Sequence, residues 1–184
     1  MDFALSNEIE EYRRSVRDFV AQHILPLEID PANRDEHENI KDDVLQLVRA
    51  KAKSAGLWAL QMPVERGGRG LSVVGMAACY EEMGRSIFGP VCFNSAAPDD
   101  GNMIVLSRVA TELQKDRWLQ PIIDGEVRSS FAMTEPMPGS GSDPSAMQTF
   151  ARREGDMWVV NGHKWFITGA GEAKHFILIA RTSD

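Results

Sequence analysis

Phe131-Ala-Met-Thr-Glu-Pro136 and, beyond the Gly/Ser turn that follows it, Asn161-Gly-His-Lys-Trp-Phe-Ile-Thr168 are the stretches that decide how this chain is read. Each is a short apolar run that carries an aromatic and a threonine to a glycine-rich exit. Such runs predict strands, since apolar, aromatic and β-branched residues bounded by turn formers favour extended backbone. A strand end that presents a ring and a hydroxyl together is an edge suited to a flat ligand with a polar rim.

Working outward, the residues after Asp124-Gly125 read as strands throughout. Arg128 to Thr134 is extended, and Gln148 to Arg153 and Met157 to Val160 flank Glu154-Gly-Asp156 as a hairpin. Lys164 to Thr168 and Lys174 to Ala180 are expected to be further strands. Before Asp124 the chain reads helical. Ile9, Tyr12, Val16, Phe19 and Val20 recur at helical spacing up to Pro26. Val44, Leu47, Val48 and Ala52 repeat the pattern, with Gly56 placed to cap it. Pro63 to Gly70 is a loop, and Ser72 is an N-cap for a helix bearing Val73, Met76, Ala77, Tyr80 and Met83. A further helix follows Pro98-Asp-Asp-Gly101, carrying Met103, Leu106 and Val109. Thr111-Glu-Leu-Gln114 fits a capping box that opens a short helix through Trp118 and Leu119, ending before Pro121.

Helices followed by strands predict an α+β class. The expected architecture is an N-terminal α-helical bundle domain, residues 1–125, followed by an incomplete antiparallel β-barrel-like domain, residues 126–184. The last expected strand is followed only by Arg181-Thr-Ser-Asp184, which leaves an apolar edge that complete domains blunt. The chain is therefore expected to be part of a longer one.

A net charge of −7 argues against nucleic acid, whose binders present basic faces. No window holds enough consecutive apolar residues to span a bilayer. Cys79 and Cys92 are the two cysteines and form no Cys-x-x-Cys pair, so they are expected to be reduced and buried. The N-terminus lacks the features of a signal or transit peptide, which makes a cytoplasmic location the expectation.

Most candidate chemistry has a simpler explanation. Arg66-Gly-Gly-Arg-Gly70 matches neither dinucleotide nor P-loop spacing and reads as a turn. His23, His37, His163 and His175 are scattered and lack metal-ligand spacing. Glu81-Glu82 and Asp42-Asp43 point in different directions on helices, and Asp99-Asp100 suits a helix start. Glu135 is expected to bond backbone amides in the turn it opens. No nucleophile elbow is present.

The two strand exits remain. A flavin ring needs donors near N5 and near its N1/C2 carbonyl edge, together with apolar walls. Thr134 and Thr168 supply hydroxyls, and Phe131, Met133, Trp165 and Phe166 supply walls. Amides around Gly139 to Ser142 can meet phosphates. A plain β-domain, rich in threonine because strands favour it, accounts for the same residues.

Taken together, the motifs resemble those of the acyl-CoA dehydrogenase family. They are Phe131-Ala-Met-Thr-Glu-Pro136, Gly141-Ser-Asp143, Asn161-Gly-His-Lys164 and Phe166-Ile-Thr168. The helical half is similar too, through Pro63 to Leu71, Ala97-Pro-Asp-Asp-Gly-Asn-Met103 and Thr111-Glu-Leu-Gln-Lys115; the last two resemble the branch of family members 10 and 11. The resemblance implies FAD as cofactor, held by Phe131, Ala132, Met133, Thr134, Gly141, Ser142, Phe166, Ile167 and Thr168. It places Thr134 on the pyrimidine side, Thr168 near N5, and Ser142 near both the pyrophosphate and the acyl-CoA substrate. Trp165, alternating to the other strand face, is assigned to packing.

Two departures from the family pattern stand out. Phe166 replaces a common tryptophan, and the turn from Met137 to Gly141 is longer than usual, so Ser140 and Ser142 both remain candidates for the phosphates. The family's catalytic glutamate belongs to a C-terminal helical domain, so no catalytic residue is expected within these residues, and the isolated chain is expected to be inactive. The implied reaction oxidises an acyl-CoA thioester to the trans-2-enoyl-CoA in fatty acid metabolism. The implied electron acceptor is an electron-transfer flavoprotein and the implied assembly a homodimer or homotetramer. A non-catalytic module binding acyl-CoA or another subunit, and an acyl-CoA oxidase or flavin monooxygenase on the same fold, are the competing classes.

Overall fold

A computed structural model describes residues 4–139 and 141–183. They form two compact units, one up to Asp100 and one from Gly101 onward.

The first unit is helical, as its periodicity predicts. Helix α1 (Asn7–Phe19) starts at Ser6, whose side chain accepts from the Ile9 amide, and α3 (Asp42–Ser54) begins on two aspartates and ends on lysines. Between them, α1 runs into a π turn over Val20–Ile24 and then α2 (Leu25–Ile29), so Pro26 opens a helical segment where a break was expected. Proline has no N–H to give, and the wider turn before it lets a new hydrogen-bond ladder begin. Gly56, at φ +71°, reverses the chain after α3. Ser72 caps α4 (Val73–Met83) through the Gly75 amide at 3.2 Å, and a short α5 (Gly89–Cys92) follows. The core gathers Val16, Val20, Leu60, Met83 and Phe93, with the Phe19 and Phe93 rings 5.2 Å apart. Cys79 and Cys92 are free and buried, and burial pushes their thiols up to about 11 and about 12, so neither is a ready nucleophile.

Helix α6 (Asp99–Val109) begins on the two aspartates expected at a helix start. Asp100 does more than face a helix dipole. It accepts from the Tyr80 hydroxyl at 2.6 Å and from Gln61 at 2.8 Å within the first unit.

In the second unit the capping box is complete. Thr111 accepts from the Gln114 amide and Gln114 accepts from the Thr111 amide, opening α7 (Glu112–Gln114). A π turn over Lys115–Leu119 then leads into α8 (Gln120–Ile123), with Pro121 in its first turn. The helix expected to end before Pro121 therefore continues through it, by the device already seen at Pro26.

The strands are β1 (Arg128–Ala132), β2 (Phe150–Glu154), β3 (Met157–Asn161) and β4 (Ala173–Leu178). β2 and β3 form the expected antiparallel hairpin around Gly155-Asp156, with Gly155 at φ +61°. β1 pairs with β4 in parallel, Phe131 opposite Ile177, which an all-antiparallel sheet does not allow. The long crossover through the hairpin supplies the reversal that parallel pairing needs. Among the described residues the sheet is incomplete and does not close. Lys164 to Thr168 is not a strand: Phe166 sits at φ +51°, a left-handed conformation that breaks the extended run. The α+β class stands, with these corrections. No helix among the described residues is long and apolar enough to cross a membrane.

Candidate functional site

The two motifs lie side by side. Phe131 and Ala132 close β1, held by its pairing with β4, and the Ile179 amide donates to the Ala132 carbonyl at 3.1 Å. Past the strand end, the Trp165 amide donates to the Thr134 carbonyl at 3.2 Å. Farther along the same segment, the Ser130 hydroxyl donates to the Thr168 carbonyl at 2.8 Å. These bonds set the Trp165–Thr168 segment beside the end of β1 and Thr134.

Side-chain exposure separates walls from supports. Ala132 is buried, while Phe131, Met133, Thr134 and Ile167 are half-buried. Phe166 is 81% exposed and Trp165 41% exposed. Their rings lie 4.4 Å apart and 34° from parallel. This overturns the assignment of Trp165 to packing on an opposite face. With no strand there, side chains do not alternate, and the left-handed turn at Phe166 brings the two rings together. Neither the Thr134 nor the Thr168 hydroxyl is bonded to another described residue.

The Gly/Ser turn is tied to the same edge. The Glu135 amide donates to the Gly141 carbonyl at 3.0 Å, and Gly141 adopts φ +59°. Ser142 is exposed. Asp143 accepts from the Ser145 amide at 2.9 Å, a turn-closing bond that holds its carboxyl below the ordinary range. Ser140, the other candidate for the phosphates, lies outside the described residues.

Two residues that the sequence did not mark as site residues sit beneath. Glu135 accepts from the Gln148 and Thr149 amides at 2.7 and 2.8 Å, as expected of a turn carboxylate, but Lys164 also reaches it at 2.9 Å. Lys164 donates as well to the Met133 carbonyl at 2.7 Å. Burial alone would raise the Glu135 carboxyl. The bonds from Thr149, Gln148 and Lys164 outweigh burial and hold it well below the usual carboxylate range. A carboxylate so satisfied is a poor proton acceptor. The signal that could have found the pair is a carboxylate in one motif and an ammonium in the other.

Comparison with known proteins bears on the same segments. Residues 6–126 match the model of the acyl-CoA dehydrogenase N-terminal domain, and residues 130–184 match that of the middle domain. The chain belongs to the acyl-CoA dehydrogenase family. It is 37% identical over 187 residues to a Mycobacterium tuberculosis protein named "Probable acyl-CoA dehydrogenase FadE2", covering 97% of this chain and 44% of that protein. Acyl-CoA dehydrogenase family member 11 of Gallus gallus is 38% identical over 190 residues, covering 99% of this chain and 24% of that protein. A Mycobacterium smegmatis glutaryl-CoA dehydrogenase, solved in complex with FADH2, superposes with a TM-score of 0.72 at 25% identity, covering 98% of this chain and 44% of that one. The chain thus spans less than half the length of these relatives.

Proposed function

We propose that this chain forms part of the FAD site of an acyl-CoA dehydrogenase that oxidises an acyl-CoA thioester to the trans-2-enoyl-CoA. The observation that carries the reading is the Thr134–Trp165 backbone bond, which sets the two threonine-bearing segments on one edge beside the exposed Trp165 and Phe166 rings. The residues present fit a flavin: two hydroxyls with no partner among the described residues supply donors, and adjacent aromatic rings supply an apolar wall. FADH2 bound by the glutaryl-CoA dehydrogenase relative supports the same cofactor here.

When bound, FAD supplies a hydride acceptor for the substrate β-carbon. Thr134 would donate to its pyrimidine edge and Thr168 close to N5. Phe131, Ala132, Met133, Phe166 and Ile167 would exclude water, which strengthens every hydrogen bond made inside the site. Gly141 and Ser142 would face the pyrophosphate, with Ser142 also near the acyl-CoA.

The α-proton base is assigned to a residue outside this chain. Glu135, the carboxylate within the motif, is kept ionised and fully bonded, which suits a support and not a base. The helical domain is taken as residues 1–125 and the start of the β-domain as residues 126–184. Family resemblance supports an electron-transfer flavoprotein as acceptor, a homodimer or homotetramer as the working assembly, and a role in fatty acid metabolism. The two free, buried thiols suit a reducing, cytoplasmic location.

The test is to purify the protein expressed from its whole reading frame and mix it anaerobically with acyl-CoA thioesters while following flavin absorbance. Yellow protein that bleaches supports the reading. Colourless protein that binds acyl-CoA supports a non-catalytic module, and reduction followed by rapid oxygen uptake supports an oxidase.

A further inference from the structure

We propose that Lys164 and Glu135 are positioning residues that set the distance between the Thr134 hydroxyl and the Trp165–Thr168 segment. The proposal rests on the flavin reading above. Lys164 brackets Thr134 from both sides, donating to the carbonyl of Met133 at 2.7 Å and to the carboxylate of Glu135 at 2.9 Å. It also immediately precedes Trp165, whose amide bonds the Thr134 carbonyl. Glu135 ties this clamp to a third segment through the Gln148 and Thr149 amides. One ammonium and one carboxylate therefore join three chain segments within a few residues of both candidate flavin donors.

The pair is deeply buried, with side-chain exposures of 9% for Lys164 and 2% for Glu135. Removing two charges from water costs about as much as their attraction returns, so such a pair is a poor way to gain stability alone. Apolar side chains of equal volume would serve that purpose as well. What the charged pair adds is geometry, since a slip of one segment would break several bonds at once. Donors at a reacting edge must be held within about 0.5 Å of the productive position. Neither motif segment past β1 has a strand ladder to hold it, so the clamp takes that role.

The test uses holoprotein expressed from the whole reading frame and two variants. Glu135→Gln with Lys164→Met removes both charges together, so no buried ion is left alone. Lys164→Gln keeps an amide donor near the Met133 carbonyl and is the second variant, read in the same way if the first does not fold. The expected result is a folded protein with FAD bound, displaced visible flavin bands, and kcat lower by roughly 100-fold with a smaller change in KM. Unchanged bands and unchanged kcat, with only the melting temperature lowered, would make the pair purely structural and overturn the proposal while leaving the flavin reading intact. A wild-type protein that takes up no FAD removes the flavin reading, and this proposal with it.

Discussion

Trp165 donates its backbone N–H to the carbonyl of Thr134 across 3.2 Å, and that bond joins two motifs separated by 24 residues of intervening turn and hairpin. Because the partner is the Thr134 carbonyl, the Thr134 hydroxyl stays available. The same bond sets the backbone that carries the Trp165 and Phe166 rings beside the Thr134 backbone. Two segments that are not strands, one carrying a threonine and the other two aromatic rings, thus lie side by side.

Phe166 holds a left-handed backbone, at φ +51°, while exposing its ring. A non-glycine residue there costs about 1–2 kcal/mol, and such strain gathers at functional sites. Phe166→Gly relieves the strain and Phe166→Ala keeps it, although both remove the ring. The glycine variant is expected to be more stable than the alanine variant by about 1 kcal/mol in denaturant unfolding, while both lose FAD affinity. Equal stability of the two would show that the backbone does not need a left-handed residue.

Gly162, in the Asn161-Gly-His-Lys164 motif, leaves no room for a side chain. A Cβ there would lie 2.2 Å from Thr149 Oγ1 and 2.6 Å from its Cβ. Gly162→Ala is expected to cost about 1–3 kcal/mol, lowering the melting temperature by several degrees. Truncating the neighbour as well, with Thr149→Gly, should recover part of the loss. No recovery would mean that the clash lies elsewhere.

Asp100 gives a pH-dependent prediction in the helical unit. Burial raises its carboxyl above the ordinary value, against hydrogen bonds from Tyr80 and Gln61 that lower it. With the folded-state pKa raised, the folded protein holds the proton more tightly than the unfolded chain. Ionised Asp100 therefore costs stability at neutral pH, and the cost disappears as pH falls through the folded-state value toward the unfolded one near ~3.9. The melting temperature of Asp100→Asn minus that of wild type is expected to be most positive at pH 7 and to fall steadily toward pH 4. A difference independent of pH would contradict the raised pKa.

Features set by neighbouring residues were legible in the sequence. Ser72, the Thr111–Gln114 box, Gly56 and the Gly155 hairpin follow rules that act over three or four residues, and the structure shows each in place. Features set by distant contacts were not. Pro26 and Pro121 read as helix ends because the π turns preceding them leave no mark in apolar spacing. Lys164 to Thr168 read as a strand because its composition is that of one, whereas Phe166 turns left-handed between the Thr134 and Ser130 contacts. Parallel pairing of β1 with β4 depends on a crossover whose path the order of elements does not specify. The residues proposed to face FAD were named through resemblance. Their spacing alone described an ordinary β-domain equally well, and the Lys164–Glu135 clamp beneath them escaped both readings.

The central claim is that Thr134 and Thr168 present their hydroxyls to one FAD. The most direct measurement is equilibrium FAD binding, followed by visible absorbance, for the protein from its whole reading frame and for the Thr134→Val/Thr168→Val variant. The account predicts stoichiometric FAD on the wild type, and on the folded double variant a weaker affinity by roughly tenfold or more with displaced flavin bands, since each lost hydrogen bond is worth about 0.5–1.5 kcal/mol. Identical affinity and spectra in the two proteins, or a wild type that binds no FAD, would contradict it.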